Sequence, residues 1–133
     1  MNSLVRWLLL RNRHVGREEI VDQRKLVEEL IDRDLISHVA SVGQHLERAL
    51  RSIAARHSMV REVRGAGLMW GLDLDRPALP VVEAALDLGL LINRTSDTVV
   101  RLLPPYVISA NEVDEACALL ERAMVTVSEA QKK

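Results

Sequence analysis

The segment VRLLPPYVIS, from Val100 to Ser109, places one guanidinium inside an apolar run that ends on two prolines. If VVRLL alternates as a strand, Val100 and Leu102 face one way and Val99, Arg101 and Leu103 the other. A guanidinium on a face otherwise made of valine and leucine needs a partner. Its planar fork suits a carboxylate held by two parallel hydrogen bonds. The plainer alternative is an edge strand whose arginine reaches water. Arg101 is therefore the leading candidate for a binding residue.

The other reactive side chains are less well placed. The histidines are His14, His38, His45 and His57. His38 and His45 are seven apart, two turns along one side of a helix. A helical zinc pair sits at i, i+4, and no third ligand joins them, so they read as a solvated face and no metal site is assigned. Cys117 is the only cysteine, inside the last helical pattern and without a neighbouring base. It reads as buried packing, not as a nucleophile. Asp73 and Asp75 alternate along a strand and can be drawn as an acid–base pair, but acids before RPALP are also ordinary turn material. Asn93-Arg94-Thr95 fits a glycosylation acceptor only in a secreted protein. GAGLMWG, residues 65–71, has the glycines of a nucleotide loop but opens a strand instead of a helix. Its glycines read as a bend or bulge with close backbone approach. No catalytic or cofactor-binding residue is assigned within this chain.

The elements that position these residues follow from periodicity. Val27, Leu30 and Ile31 fall at helical spacing before DRD interrupts. Asp34 can cap a longer helix whose stripe is Leu35, Val39, Val42, Leu46, Ala49, Leu50 and Ile53. Arg56 and His57 close its last turn, where cations suit a helix C-terminus. LMWGLDL reads as a strand, Pro77 and Pro80 bracket a turn, and VVEAALDLG is a short helix ended by Gly89. LLINR and VVRLL are two further strands around a TSD turn. Pro104 and Pro105 stop the second, since proline cannot donate to a ladder. SANE has the spacing of a capping box, with Ser109 at N-cap and Glu112 at N3. The helix behind it puts Val113, Ala116, Leu120, Ala123 and Val127 on one face. The order predicted is α-β-α-β-β-α: a two-layer α/β domain with a three-stranded sheet covered by helices. Residues 1–25 read as a leader, 26–128 as the domain and 129–133 as a fraying tail.

Composition narrows the function classes. The chain has 133 residues, enough for one ordinary core. Its net charge of −1 and scarcity of aromatics argue against a nucleic-acid partner. No stretch approaches the roughly 20 apolar residues of a membrane span. The lone cysteine permits no intrachain disulfide, which points to a reducing cytoplasm. With no phenylalanine, the core falls to Leu, Val, Ile, Ala and Met.

VREVRGAGLMWGLDL, VVEAALDLGLLINR and VVRLLPPYVISANEVDEACALLERAM, with the helix LISHVASVGQHLERALRSIAARHSMV, resemble one family. It is the C-terminal small domain of class III, fold-type I, pyridoxal-phosphate aminotransferases. The acetylornithine and ornithine branch is the most similar. The similarity covers about Leu26 to Val127, in the family's element order. Its most specific piece is R-x-x-P-P followed by V-I-S and an acidic helix. The resemblance implies that Arg101 binds the carboxylate of the amino-acid substrate and that Pro104 and Pro105 fix the chain so that the guanidinium points into the cleft. It implies that Gly65 and Gly67 shape the strand entry near the domain junction. Transamination would run on the cofactor as electron sink.

The departures are as informative. The family holds its cofactor as a Schiff base on a lysine, and this chain has only Lys25, Lys132 and Lys133, none in a family lysine motif. Where the family has a G-N-P stretch rich in alanine, this chain reads HVGREEIVDQ. The expectation is a small domain without its catalytic half, a gene fragment or one piece of a split enzyme. Such a piece would bind no pyridoxal phosphate alone and would meet a large-domain chain or associate with itself. The alternative is a non-catalytic module on the same scaffold, binding a small carboxylate or a partner chain. A stand-alone enzyme using Asp73, Asp75 or a histidine lacks a visible nucleophile–base pair.

Overall fold

The computed structural model describes residues 35–131. The expectations for the leader at 1–25, His14, Lys25, the pattern around Val27, the cap at Asp34, and Lys132 and Lys133 lie outside the described residues.

Helix α1 spans Leu35–Arg56. Val42, Leu46, Leu50 and Ile53 are buried along it, with Val39 and Ala49 partly buried beside them. That is the stripe a 3.6-residue period produces. Gly43 lies on the same side and is buried. A Cβ added there would overlap the carbonyl oxygen of Gly67 and stand 3.0 Å from its carbonyl carbon. The helix therefore rests on the backbone of the turn at Gly67 with no side chain between them.

That turn joins β1, Val60–Ala66, to β2, Met69–Leu74. Gly67 has φ +57, the left-handed region that a tight reversal needs and glycine adopts without strain. β1 corrects the predicted order. The sheet has four strands, not three, and the element order is α-β-β-α-β-β-α. The reason lies in the register, which shifts between Val60 and Glu62. Arg61 and Glu62 both face outward while Val60 and Val63 are buried. Two buried valines three residues apart look helical in sequence, and only the irregularity reconciles them with a strand. The α/β class stands.

Helix α2 covers Leu79–Asp87 with Pro80 in its first turn, where a missing N–H costs nothing. It begins before the predicted VVEAALDLG, and Gly89 follows its C-terminus as expected. β3 is only Asn93–Arg94, and β4 is Val99–Leu102. The rest of the predicted LLINR strand is packing, with Leu90 and Ile92 buried. The sheet order is β1-β2-β4-β3, every pair antiparallel.

Helix α3 runs Ala110–Gln131, three residues into the segment expected to fray. Its capping box forms as predicted: the Glu112 N–H donates to Ser109 Oγ at 3.1 Å, and the Ser109 N–H donates to Glu112 Oε1 at 3.2 Å. Val113, Ala116, Cys117, Leu120, Ala123, Met124 and Val127 face the core. The helices cover one face of the sheet, burying Val63, Trp70, Leu72, Val100 and Leu102. Trp70 joins the aliphatic core that composition predicted, its indole N–H donating to the Gly67 carbonyl at 2.8 Å. No helix among the described residues is long and apolar enough to cross a membrane.

Histidines fasten α1 to α3. His38 Nε2 donates to the Ile108 carbonyl at 2.8 Å, His45 meets Asp114 at 2.7 Å and His57 meets Glu121 at 2.7 Å. His38 and His45 thus do not form the solvated face expected of them, because their side of α1 is the side that meets α3 and its N-terminal loop. The Arg56 guanidinium, and after it His57, hold the Glu121 carboxyl below its usual range against the opposing effect of burial. A lowered folded-state value means this stabilisation is complete above the ordinary carboxylate value of 4.5 and is lost as pH falls through the folded one. The denaturant midpoint should therefore drop as pH falls below the ordinary carboxylate value of 4.5. In Glu121→Gln the pH 7 midpoint should be lower and the decline shallower. An unchanged slope in that variant would show that other carboxylates control acid unfolding.

Candidate functional site

Strand β4 alternates as predicted. Val100 and Leu102 are buried under the helices, while Val99 and Arg101 lie on the opposite face, both half-buried. Register places Arg101 across from Gly71 of β2 on one side and Asn93 of β3 on the other. Arg64 of β1 stands across from Gly71, so Arg64, Gly71, Arg101 and Asn93 form one row across the sheet.

The charges in this region divide into paired and unpaired. Arg64 faces Glu62 at 3.6 Å, and Arg61 meets Asp73 at 3.2 Å. Arg101 has no ion pair among the described residues, and its Nε is buried with no hydrogen-bond partner. A buried donor left unsatisfied costs about 1–3 kcal/mol, so a stable fold seldom carries one without a use. In this row, Arg101 is the residue whose polar demand the described residues leave unmet.

The supporting residues are placed by local chemistry. Pro104 and Pro105 follow β4 two and three residues past its last ladder position, Leu102, and the Ile108 N–H turns back onto the Pro105 carbonyl at 3.1 Å. Ile108 is then buried and Ser109 opens α3. Leu103 and Pro104 also line an apolar cavity of about 20 Å³ with Leu46 and Val113. That volume is close to one water molecule, so this end of β4 is a packed anchor and the site is an open face. A Cβ at Gly65 would overlap the Met69 carbonyl oxygen and stand 2.5 Å from Trp70 Cδ2. Gly65 and Gly67 therefore act through the hairpin that seats Trp70 and, beside it, Gly71.

The other candidates remain apart from this row. Asp73 accepts a hydrogen bond from the Thr98 hydroxyl at 2.8 Å, and this bond, with Arg61, holds its carboxyl below the usual range. Arg76 does the same for Asp75. Both are ionised near neutrality in separate ion pairs, so neither holds a proton to donate as a general acid. Cys117 is buried as expected. Burial first, then the charges of Asp114 and Glu121, push its thiol up to about 12, which leaves it unreactive. No group of three or more potential metal ligands occurs among the described residues. Sequence reasoning did not place Gly71 and Asn93 beside Arg101, because cross-strand adjacency has no signal in local spacing. The pairing of two strands supplies it.

The model of the aminotransferase class-III family matches residues 22–124. Acetylornithine aminotransferase 1 of Bordetella pertussis is 42% identical over 95 residues, covering 71% of this chain and 24% of that protein. Ornithine aminotransferase of Staphylococcus epidermidis is 39% identical over 90 residues, covering 68% of this chain and 22% of that protein. This chain thus spans about a quarter of the length of the curated relatives it matches. Among solved structures, N-acetylornithine aminotransferase from Stenotrophomonas maltophilia superposes with TM-score 0.72 at 25% identity, over 80% of this chain and 30% of that one. Lysine aminotransferase from M. tuberculosis superposes with TM-score 0.75 at 25% identity, over 82% of this chain and 26% of that one. Sequence and fold agree: the chain belongs to the class-III aminotransferase family.

Proposed function

We propose that this chain is the substrate-carboxylate-binding small domain of a pyridoxal-phosphate aminotransferase of the acetylornithine and ornithine type. In the whole enzyme an amino group would pass from an amino acid to a 2-oxo acid. Arg101 carries the reading: it is half-buried on the face of the sheet away from the described helices, and its Nε has no partner among the described residues. Pro104 and Pro105 hold the end of its strand, and Gly65 and Gly67 form the hairpin beside it. A carboxylate fixed by Arg101 is oriented for chemistry carried out elsewhere.

Pyridoxal phosphate serves such enzymes as an electron sink, held as an imine on a lysine. The described residues contain no lysine, so none of them offers that amine, and no step through the cofactor is assigned to them. We read the chain as inactive alone and dependent on a large domain. Its single buried thiol suits a reducing cytoplasm.

The test is to add pyridoxal phosphate to the purified chain, reduce with borohydride and map the label by mass spectrometry. No label, or scattered label on Lys132 and Lys133, is the expected result. A single stoichiometric label on Lys25 would mean a working cofactor site within the chain and would overturn the reading.

A second reading, a non-catalytic module that meets a partner chain or itself, is favoured by Met69, Tyr106 and Val107. These apolar residues are 53%, 45% and 54% exposed, Met69 on the sheet face away from the described helices and the other two just beyond β4. Light scattering that shows a dimer lost in Val107→Asp would support it, and a monomer at high concentration would count against self-association.

A further inference from the structure

The reading of Arg101 as a carboxylate site leaves its neighbours unassigned. On one face of a sheet, directly opposed side chains start about 5 Å apart at Cβ. Arg101 has two such neighbours, Gly71 and Asn93. Asn93 is exposed on β3, an edge strand, and its side-chain amide has no hydrogen bond among the described residues. The amide NH2 can donate to a carboxylate oxygen, and it adds no negative charge beside the bound anion. Gly71 adds no side chain at all. Arg64, the next residue along the row, faces Glu62 and is 62% exposed, so the cation of the row with no ion pair among the described residues is Arg101.

We propose that Asn93 is a second substrate-binding residue, whose amide donates to the carboxylate held by Arg101, and that Gly71 keeps the other flank of this clamp open to the ligand. The clamp rests on the carboxylate reading of Arg101 and deepens it. It takes the carboxylate of an α-amino acid in preference to the matching carboxamide, because Arg101 supplies the charge and Asn93 a donor directed at the second oxygen.

The arrangement separates binding from folding. Asn93 is exposed and has no side-chain partner among the described residues, so its replacement should leave the melting temperature unchanged. A Cβ at Gly71 would stand 3.4 Å from Val99 Cγ1 and 3.7 Å from the Val100 carbonyl oxygen, contacts that a sheet absorbs with small adjustment. Gly71→Ala should therefore fold while narrowing the approach to Arg101.

The experiment is an NMR titration of the 133-residue chain with N-acetyl-L-ornithine, and with its carboxamide as the uncharged control. For the native chain, shifts should centre on residues 71, 93 and 101 and favour the acid over the amide. Asn93→Ala should weaken the acid about tenfold, the usual cost of removing a hydrogen bond to a charged group. Asn93→Asp keeps the shape, sets a like charge against the ligand and should weaken it further. Gly71→Ala should weaken it severalfold at near-native melting temperature. Native affinity in Asn93→Ala and Asn93→Asp, with binding lost in Arg101→Ala, would overturn the clamp and leave the Arg101 reading standing. No carboxylate-dependent shift at Arg101 in the native chain would overturn both.

Discussion

Replacing Arg101 with methionine is expected to abolish carboxylate binding and to stabilise the domain. The two effects have one cause. The guanidinium is half-buried, and among the described residues its Nε has no hydrogen-bond partner and no carboxylate pairs with it. Folding therefore bears part of a desolvation penalty that no internal contact returns. An unsatisfied buried donor costs about 1–3 kcal/mol. Because the rest of the guanidinium still reaches water, the low end of that range applies. Methionine keeps the length of the aliphatic stem and removes the polar atoms, so a gain of about 1 kcal/mol is expected, or roughly 4 °C for a domain of this size. Binding should fall below detection in the same variant. Arg101→Lys should keep the charge yet bind poorly, because an ammonium lacks the fork that meets both oxygens of a carboxylate. Thermal melts and the titration described above read both effects. A melting temperature several degrees lower in Arg101→Met would mean that the guanidinium holds the sheet together, and its role would be structural.

The largest loss of stability is expected from one methyl group at Gly43. Helix propensity alone predicts the reverse, since alanine is about 1 kcal/mol better than glycine inside a helix. Packing decides the sign. The new Cβ would overlap the Gly67 carbonyl oxygen, which belongs to backbone fixed by the β1–β2 turn, and no flexible side chain can yield. Either α1 lifts from the hairpin or the turn opens, and both disturb the Trp70 indole bonded to that same carbonyl. Such overpacking typically costs about 1–3 kcal/mol, and here it should reach the upper end after the propensity gain is subtracted. Gly71→Ala is the control, because its Cβ meets only ordinary contacts. Denaturant unfolding of the two variants should differ by about 2 kcal/mol on this argument. Equal midpoints would show that α1 has room to move.

The sequence alone determined the periodic features. The α1 stripe, the capping box at Ser109 and Glu112, the break at Pro104 and Pro105, and the alternation that sets Arg101 apart from Val100 and Leu102 all lie within a few residues of one another. Local backbone geometry makes such features legible. The family was legible for the same reason, since R-x-x-P-P and the helix behind it are one continuous segment. Tertiary structure decided the rest. It revealed β1, whose shifted register breaks the alternation by which a strand is read, and it turned His38 and His45 from a solvated face into a fastening between α1 and the segment of α3 and its N-terminal loop. It gave Gly43 a purpose, and it placed Gly71 and Asn93 beside Arg101. Each of these depends on residues far apart in the chain, whose contact is set by strand register and by the direct approach of a helix to a turn. Spacing along one strand says which way a side chain points, but only the neighbouring strands say what it points beside.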